Sequence, residues 1–120
     1  MNRVQELIFE LMTISPFNNF DGEKVVASLK DNESLWISAI FLPFSLPLLT
    51  LRDMADGEWN ADTLYIIPAE GEEDQLEGLA SSWNADEVDW IDGMKACNMM
   101  GEWSSKKEAR DKALLRVWWD

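Results

Sequence analysis

The feature that most constrains the fold is a four-residue sequence, Trp-Asn-Ala-Asp, which occurs twice at a spacing of 24 residues. The first copy begins at Trp59 and precedes a β-favouring run, Thr63 to Ile67, which stops at Pro68. The second copy begins at Trp83 and precedes another such run, Glu87 to Ile91. Asn and Asp are common turn residues, so each copy predicts a turn that leads into a strand.

The segment between these strands is predicted to be a helix, Glu72 to Trp83. Its apolar residues recur at helical spacing, and three carboxylates occupy its first turn, where they complement the helix dipole. The inward stripe consists of Leu76, Leu79, Ala80 and Trp83. Strand, helix and strand therefore follow one another, and Thr63 to Ile67 is apolar enough to be a central strand.

This alternation predicts the α/β class: residues 1–120 form a single domain, with short helices and a mostly parallel or mixed sheet of four or five strands. A parallel strand-helix-strand unit usually takes about 30 residues or more, which exceeds the observed spacing. An α+β fold with hairpins is therefore the alternative.

The chain begins with a predicted helix capped by Asn2. Its expected inward stripe, at i, i+3, i+4, i+7 and i+8, is Val4, Leu7, Ile8, Leu11 and Met12. The next segment, Lys24 to Leu29, is compatible with a helix that Asp21 caps or with a hairpin whose tip is Asp31-Asn32; we favour the hairpin.

Residues 34–51 contain no charged side chain and reach the minimum length of a membrane span. Pro43, Pro47 and the absence of flanking cations argue against that interpretation. We expect a buried strand, Leu35 to Leu42, followed by a segment, Leu48 to Arg52, whose type the sequence does not decide.

The last third of the chain is predicted to contain a short helix from Met94 that ends at Gly101. Ser105 and Glu108 form a capping box, which favours a helix or turn near 105–112. A final strand near 113–118 is the interpretation we prefer for the Trp-rich end, although a continued helix is also compatible with it.

Several chemistries are excluded by composition. The chain has no histidine, which removes His-dependent triads and His-ligated metals. Cys97 is the only cysteine, and we expect it to be a buried apolar side chain rather than a nucleophile. A single cysteine and an N-terminus interrupted by Glu6 and Glu10 indicate a cytoplasmic protein without a signal peptide. We therefore expect no enzyme of these types.

The net charge of −13 is concentrated in one window. Between Asp53 and Met94 there are 13 carboxylates and no Lys or Arg, while the rest of the chain sums to zero. A carboxylate field steers basic partners and opposes direct contact with nucleic-acid phosphates. The charge pattern thus predicts an acidic protein-binding module.

The partner is expected to be a basic or mixed-charge protein surface, and neither nucleic acid nor a membrane. The module would act as a regulator, adaptor or inhibitor, with nucleic-acid mimicry as a special case, or as a subunit of a homo-oligomer. The predicted partner-binding residues lie off the apolar stripes: Glu72, Glu73, Asp74, Glu87 and Asp89. The basic residues near the C-terminus offer a further option, in which they pack on the acidic window itself.

The alternative function is a divalent-metal or small-ligand binding protein or enzyme. Carboxylate oxygens suit Mg²⁺ or Ca²⁺. If the strands are parallel, Glu70 and Asp92 emerge at the same edge of the sheet, and Asp120 follows the last strand. These three residues are the predicted metal ligands.

The paired tryptophans have two interpretations. We favour Trp59 and Trp83 as core anchors beside their turns. The other interpretation makes them two aromatic pockets for a cationic ligand.

Overall fold

The computed structural model describes residues 1–15, 18–43, 47–101 and 111–120, without the side chains of 47–50. Four strands form one sheet in the order β1-β2-β4-β3, and each neighbouring pair is antiparallel. They are β1 Trp36–Leu42, β2 Thr63–Pro68, β3 Glu87–Ile91 and β4 Leu114–Trp118. The domain is a mixed α+β fold, in which three helices separate successive strands: α3 Pro47–Ala55, α4 Glu73–Ala80 and α5 Gly93–Met100.

The prediction of a mostly parallel or mixed sheet is wrong. The strands β2 and β3 run in the same direction and α4 connects them, as the repeat suggests. However, β4 lies between them and pairs antiparallel with both, through Thr63 opposite Trp118 and Glu87 opposite the same residue. The alternative prediction of the α+β class is confirmed. Its strands, however, are connected by helices and not by hairpin turns.

The described part of the chain contains five α-helices, of which the first two begin at a side-chain cap. They are α1 Arg3–Thr13, α2 Gly22–Asp31, α3 Pro47–Ala55, α4 Glu73–Ala80 and α5 Gly93–Met100, with a short 3₁₀ helix at Glu33–Leu35. Asn2 Oδ1 accepts from the Gln5 N–H at 2.9 Å, as predicted. Gly101 ends α5 at a φ of +69°.

The segment 24–29 is helical, so the favoured hairpin was wrong. Asp21 Oδ1 accepts a hydrogen bond from the Lys24 N–H at 3.1 Å and caps α2. Val25, Val26 and Leu29 then turn into the core. The segment of undecided type, Leu48 to Arg52, belongs to α3. The predicted helix or turn over 105–112 lies largely outside the described residues, and the final strand is confirmed as β4.

The main core lies on one face of the sheet. Cross-strand rows such as Phe41, Leu64 and Val117 pack there against α1, α2 and α4. The predicted stripe of α4 is confirmed, since Leu76 and Ala80 are buried and Leu79 packs against the core. A smaller cluster on the other face packs Ile91 and Leu114 against Ala96 of α5.

The predicted inward stripe of α1 is only partly correct. Met12 is buried and Ile8 packs against the core, but Val4 and Leu7 are 72% and 47% exposed. The residues that face inward are Gln5, Phe9 and Met12. The ring of Phe9 meets Trp36 edge-to-face at 5.5 Å, which holds α1 in this rotation.

None of the helices in the described part of the chain is both long and apolar enough to cross a membrane.

Candidate functional site

The two Trp-Asn-Ala-Asp copies lie on either side of the end of β4. In the first copy, the Asp62 carbonyl accepts from the Trp119 N–H at 3.0 Å. In the second, the Asp86 N–H donates to the Trp118 carbonyl at 2.9 Å, and its Oδ2 accepts from the Asp120 N–H at 2.7 Å. The two copies therefore hold the C-terminal end of β4 between β2 and β3, although their backbone conformations differ at Asn60 and Asn84.

The tryptophans of the repeat are structural. Trp83 is 2% exposed, and its carbonyl accepts from Trp119 Nε1 at 3.2 Å. Trp59 is half-buried against the main core and donates from Nε1 to the Phe41 carbonyl at 3.1 Å. A buried Trp83 ring has no open face for a cationic ligand, so the two-pocket interpretation does not fit this structure.

The helix α4 and the strand β3 carry carboxylates along the same edge of the sheet, with α4 on the face of the main core and Glu87 and Asp89 on the opposite face. Trp90 Nε1 on β3 donates to Glu77 Oε1 on α4 at 2.6 Å, so the two elements are in direct contact. The carboxylates carried by these elements are here called the acidic edge: Glu72, Glu73, Asp74, Glu77, Glu87 and Asp89. All five predicted partner-binding residues belong to it.

Two cations bind this edge, Lys112 just before β4 and Arg116 within it. Lys112 Nζ lies 2.8 Å from Asp74 Oδ1 and 5.9 Å from the centre of the Trp90 ring. Arg116 Nη1 binds Glu87 Oε2 at 3.0 Å and Asp89 Oδ2 at 2.9 Å. The option that C-terminal basic residues pack on the acidic window therefore holds for these two residues.

These contacts shift the pKa values of Asp74, Lys112 and Arg116. The hydrogen bond from Lys112 lowers the pKa of Asp74, and the same bond raises the pKa of Lys112. For Arg116, burial acts to lower the pKa, but hydrogen bonds and charges of Glu87 and Asp89 outweigh it, so the pKa is raised. Asp74, Lys112 and Arg116 are therefore charged at neutral pH.

The outer edge of β3 has no strand beside it among the described residues. The N–H of Trp119, just after β4, donates to the Asp62 carbonyl, just before β2. In this register the odd-numbered residues of β4 direct their backbone groups toward β2 and the even-numbered ones direct theirs toward β3. Glu87, Asp89 and Ile91 are the residues opposite them. Val88 and Trp90 consequently direct their backbone N–H and C=O groups outward.

The opposite edge of the sheet is closed by side chains. Gln5 of α1 hydrogen-bonds both backbone groups of Ala39 on β1, and Trp59 binds the Phe41 carbonyl. The two sheet edges therefore differ: β1 is capped by neutral amide and indole groups, and β3 is bordered by carboxylates.

The acidic window does not form a single patch. Asp53, Asp56 and Glu58 lie at the end of α3, next to the β1 side of the sheet. Asn60 Nδ2 donates to Asp53 Oδ2 at 2.9 Å and Arg52 Nε to Oδ1 at 3.1 Å. These hydrogen bonds, Asn60 first, lower the pKa of Asp53, while burial acts in the opposite direction.

The predicted metal ligands are not brought together as a trio. Glu70 follows β2 and Asp92 follows β3, at the same end of the sheet, whereas Asp120 lies at the other end beside Asp86. The described part of the chain contains no group of three side chains that could hold a metal ion. Mg²⁺ or Ca²⁺ binding by these residues stays a prediction.

Cys97 is buried on α5, 3% exposed, as expected for a small core side chain. The contributions of Lys112 and Arg116 were not assigned to particular carboxylates from the sequence. The position of Arg116 in the final strand could have indicated its partners, because a strand residue shares a face of the sheet with its cross-strand neighbours.

No protein-family model, curated protein or solved structure matches this chain.

Proposed function

We propose that this protein binds a basic segment of a protein partner along the acidic edge, and acts as a non-enzymatic regulator, adaptor or inhibitor of that partner. The observation that carries the proposal is the absence of any Lys or Arg between Asp53 and Met94, a window that holds 13 carboxylates. The acidic edge carries six of them on two neighbouring elements, α4 and β3.

The internal cations leave an excess of negative charge at this edge. Lys112 forms an ion pair with Asp74, and Arg116 forms ion pairs with Glu87 and Asp89. Glu72 and Glu73 form no ion pair with a described residue. An approaching cationic segment gains from this field and from the exposed oxygens of Glu87 and Asp89, which are about half exposed.

The backbone of β3 supports a specific binding mode, in which the partner segment adds as a strand. The outward N–H and C=O groups of Val88 and Trp90 would pair with its main chain. Its side chains would then alternate between the face that carries Glu87 and Asp89 and the face that carries Val88 and Trp90. Such a segment alternates basic and apolar residues.

The charge of β3 also discriminates between acidic and basic partner strands. Glu87 and Asp89 disfavour pairing of β3 with an acidic strand, including β3 of another copy, because like charges placed opposite each other are destabilising. The same carboxylates favour Lys and Arg. Selection by repulsion as well as attraction is a common way to restrict partners.

The direct experiment uses a short peptide in which Lys and Val alternate, labelled for fluorescence anisotropy. The test variant neutralises the five predicted residues, Glu72, Glu73, Asp74, Glu87 and Asp89, to the matching amides. The control variant neutralises five exposed carboxylates elsewhere: Glu6, Glu10, Glu23, Asp31 and Glu33. Both variants change the net charge equally.

We expect the test variant to weaken binding about tenfold or more and the control to weaken it much less, because Coulomb attraction falls with distance and is screened. Methylation of alternate peptide nitrogens should weaken binding as well, since it removes main-chain donors. Equal losses in both charge variants would mean that net charge alone attracts the peptide, and the assigned edge would be wrong.

A further inference from the structure

The two cations that bind the acidic edge are held to different degrees. Arg116 Nη1 makes contacts of 3.0 and 2.9 Å with Glu87 and Asp89, and its side chain is 16% exposed. Lys112 Nζ makes a contact of 2.8 Å with Asp74, and the side chains of this pair are 42% and 88% exposed. A solvent-exposed ion pair contributes little to stability, because water screens it and its side chains lose conformational freedom. Lys112 is therefore the cation that a competing ammonium group can displace more readily.

The place that the Lys112 ammonium group occupies is formed by other residues, and we call it the ammonium position. Its carboxylate is Asp74, and its aromatic wall is the ring of Trp90, whose centre lies 5.9 Å from Nζ. An ammonium group within about 6 Å of a Trp ring centre is attracted by the negative face of that ring. The hydrogen bond from Trp90 Nε1 to Glu77 Oε1 orients the ring independently of Lys112.

Three carboxylates of α4 favour a cation at the ammonium position. The hydrogen bond with Asp74 raises the pKa of Lys112, against the effect of burial. The charges of Asp74, Glu77 and Glu73 raise this pKa further. These carboxylates attract a lysine of another chain in the same way as Lys112, because Coulomb attraction depends on charge and distance. The position thus favours an ammonium group, whichever chain supplies it.

A strand added at the outer edge of β3 would place one of its side chains next to the ammonium position. Trp90 packs against the main core, so it points to the face of the sheet that α4 covers. The residue of the added strand opposite Trp90 would point to the same face, with its Cβ about 5 Å from that of Trp90. A lysine there has a long, flexible stem, which can carry its ammonium group to the Trp90 ring.

We propose that Lys112 is an intramolecular competitor of the partner: it holds the ammonium position in the free protein and leaves when a lysine of the bound segment takes that position. This inference rests on the proposed binding of a basic segment to β3. It assigns to that segment a lysine opposite Trp90, in place of one of the apolar residues on that face. Arg116 stays with Glu87 and Asp89 in the free and the bound state.

The competition makes the contribution of that lysine depend on Lys112. In the wild-type chain, the partner's lysine gains the contacts with Asp74 and Trp90 that Lys112 loses, so the net gain in affinity is small. In a chain without Lys112, the ammonium position is free and the gain is full. Removal of another positive charge near β3 strengthens the binding of every basic segment, but it creates no preference for a lysine at one position. This difference separates competition from general attraction.

Two peptides of equal charge measure this preference. Both derive from the alternating Lys-Val peptide: the central-lysine peptide has Lys in place of its middle Val, and the end-lysine peptide has Lys in place of a terminal Val. Their affinities are measured for the wild-type chain, for Lys112→Met and for the control Lys95→Met. Lys95 is exposed and borders a depression together with Asp89 and Trp90, so the control removes the same charge close to β3.

We expect Lys112→Met to bind the central-lysine peptide roughly fivefold more tightly than the end-lysine peptide, the gain from one exposed ion pair and one cation–π contact. In the wild-type chain and in Lys95→Met, the two affinities should differ by less than about twofold. An equal preference in all three proteins would overturn the proposal, while the proposed function would stand if the variant with five amides still lost both peptides. If neither peptide bound the wild-type chain or Lys112→Met, the proposed function would fail and this inference with it.

A second measurement observes the displacement itself. In the free protein, nuclear Overhauser contacts should join the side-chain methylenes of Lys112 to the Trp90 ring. The central-lysine peptide should abolish these contacts, and the end-lysine peptide should leave them in place. Contacts that persist when the central-lysine peptide is bound would show that Lys112 is not displaced, which would overturn the proposal.

Discussion

The side-chain amide of Gln5 on α1 forms two hydrogen bonds with the backbone of Ala39 on β1. Gln5 Nε2 donates to the Ala39 carbonyl at 2.7 Å, and the Ala39 N–H donates to Gln5 Oε1 at 2.9 Å. Both residues are buried. One glutamine thus takes the place of a neighbouring strand at this point of the sheet edge.

This pairing predicts that Gln5→Leu is strongly destabilising although it adds an apolar side chain. The change leaves the N–H and C=O of Ala39 buried without partners, which costs about 2–3 kcal/mol of unfolding free energy. Urea denaturation measures the loss. Gln75→Leu, at an exposed position of α4, is the control and should stay within about 0.5 kcal/mol. A similar small effect at Gln5 would contradict the edge-capping role.

Two helical glycines, Gly22 at the contact between α1 and α2 and Gly78 in α4, should respond in opposite ways to substitution by alanine. A Cβ added at Gly22 would collide with the carbonyl oxygen of Met12, whereas Gly78 has no atom within 4 Å of that position. We expect Gly22→Ala to cost about 2 kcal/mol or more because backbone must move. Gly78→Ala, inside α4, should stabilise by about 0.5–1 kcal/mol. Thermal unfolding of the two variants compares them, and a neutral Gly22→Ala would refute the close approach.

The second repeat turn differs from the first in backbone conformation. Asn84 has a φ of +58°, the only positive value among the described non-glycine residues. We expect Asn84→Ala to destabilise by about 1 kcal/mol and Asn84→Gly to be nearly neutral, because glycine adopts this region without strain. Asn60→Gly should instead destabilise, since it removes the hydrogen bond to Asp53. Identical responses at Asn60 and Asn84 would show that the two turns are equivalent.

Asp53 gives a prediction for pH dependence. Its folded-state pKa lies below the ordinary value of 3.8, chiefly because of the Asn60 hydrogen bond. A depressed carboxyl pKa contributes stability that is present above the unfolded value and is lost as pH falls through the folded value. Asn60→Ala should raise the pKa of Asp53, as measured by carboxyl NMR titration, and should reduce the loss of stability below pH 3.8. Asn98→Ala on α5 is the control, and an unchanged Asp53 titration in Asn60→Ala would contradict the assignment.

Much of the local structure could be predicted from the sequence, because its determinants are close together along the chain. The strand Glu87–Ile91 and the Asn2 cap were identified correctly, and the stripe of α4 follows from helical spacing. The order of the strands could not be predicted in this way. It depends on where β4 pairs, and that pairing joins residues that are distant along the chain, such as Asp89 and Arg116.

The rotation of α1 shows a second limit of sequence patterns. Its apolar arc is wide enough to offer two inward faces, and the Phe9–Trp36 contact selects one of them. The five predicted partner-binding residues all lie on the acidic edge, but the sequence pattern did not assign Asp74, Glu87 and Asp89 to their internal cations. Those ion pairs form only when β4 enters the sheet.

Binding of a basic segment at β3 can be observed residue by residue with amide NMR during titration with the alternating Lys-Val peptide. We expect the largest shifts at the backbone amides of Val88 and Trp90 and at the Trp90 indole N–H, with α1 unaffected. Shifts spread evenly over the exposed carboxylates, or centred on α1, would contradict it.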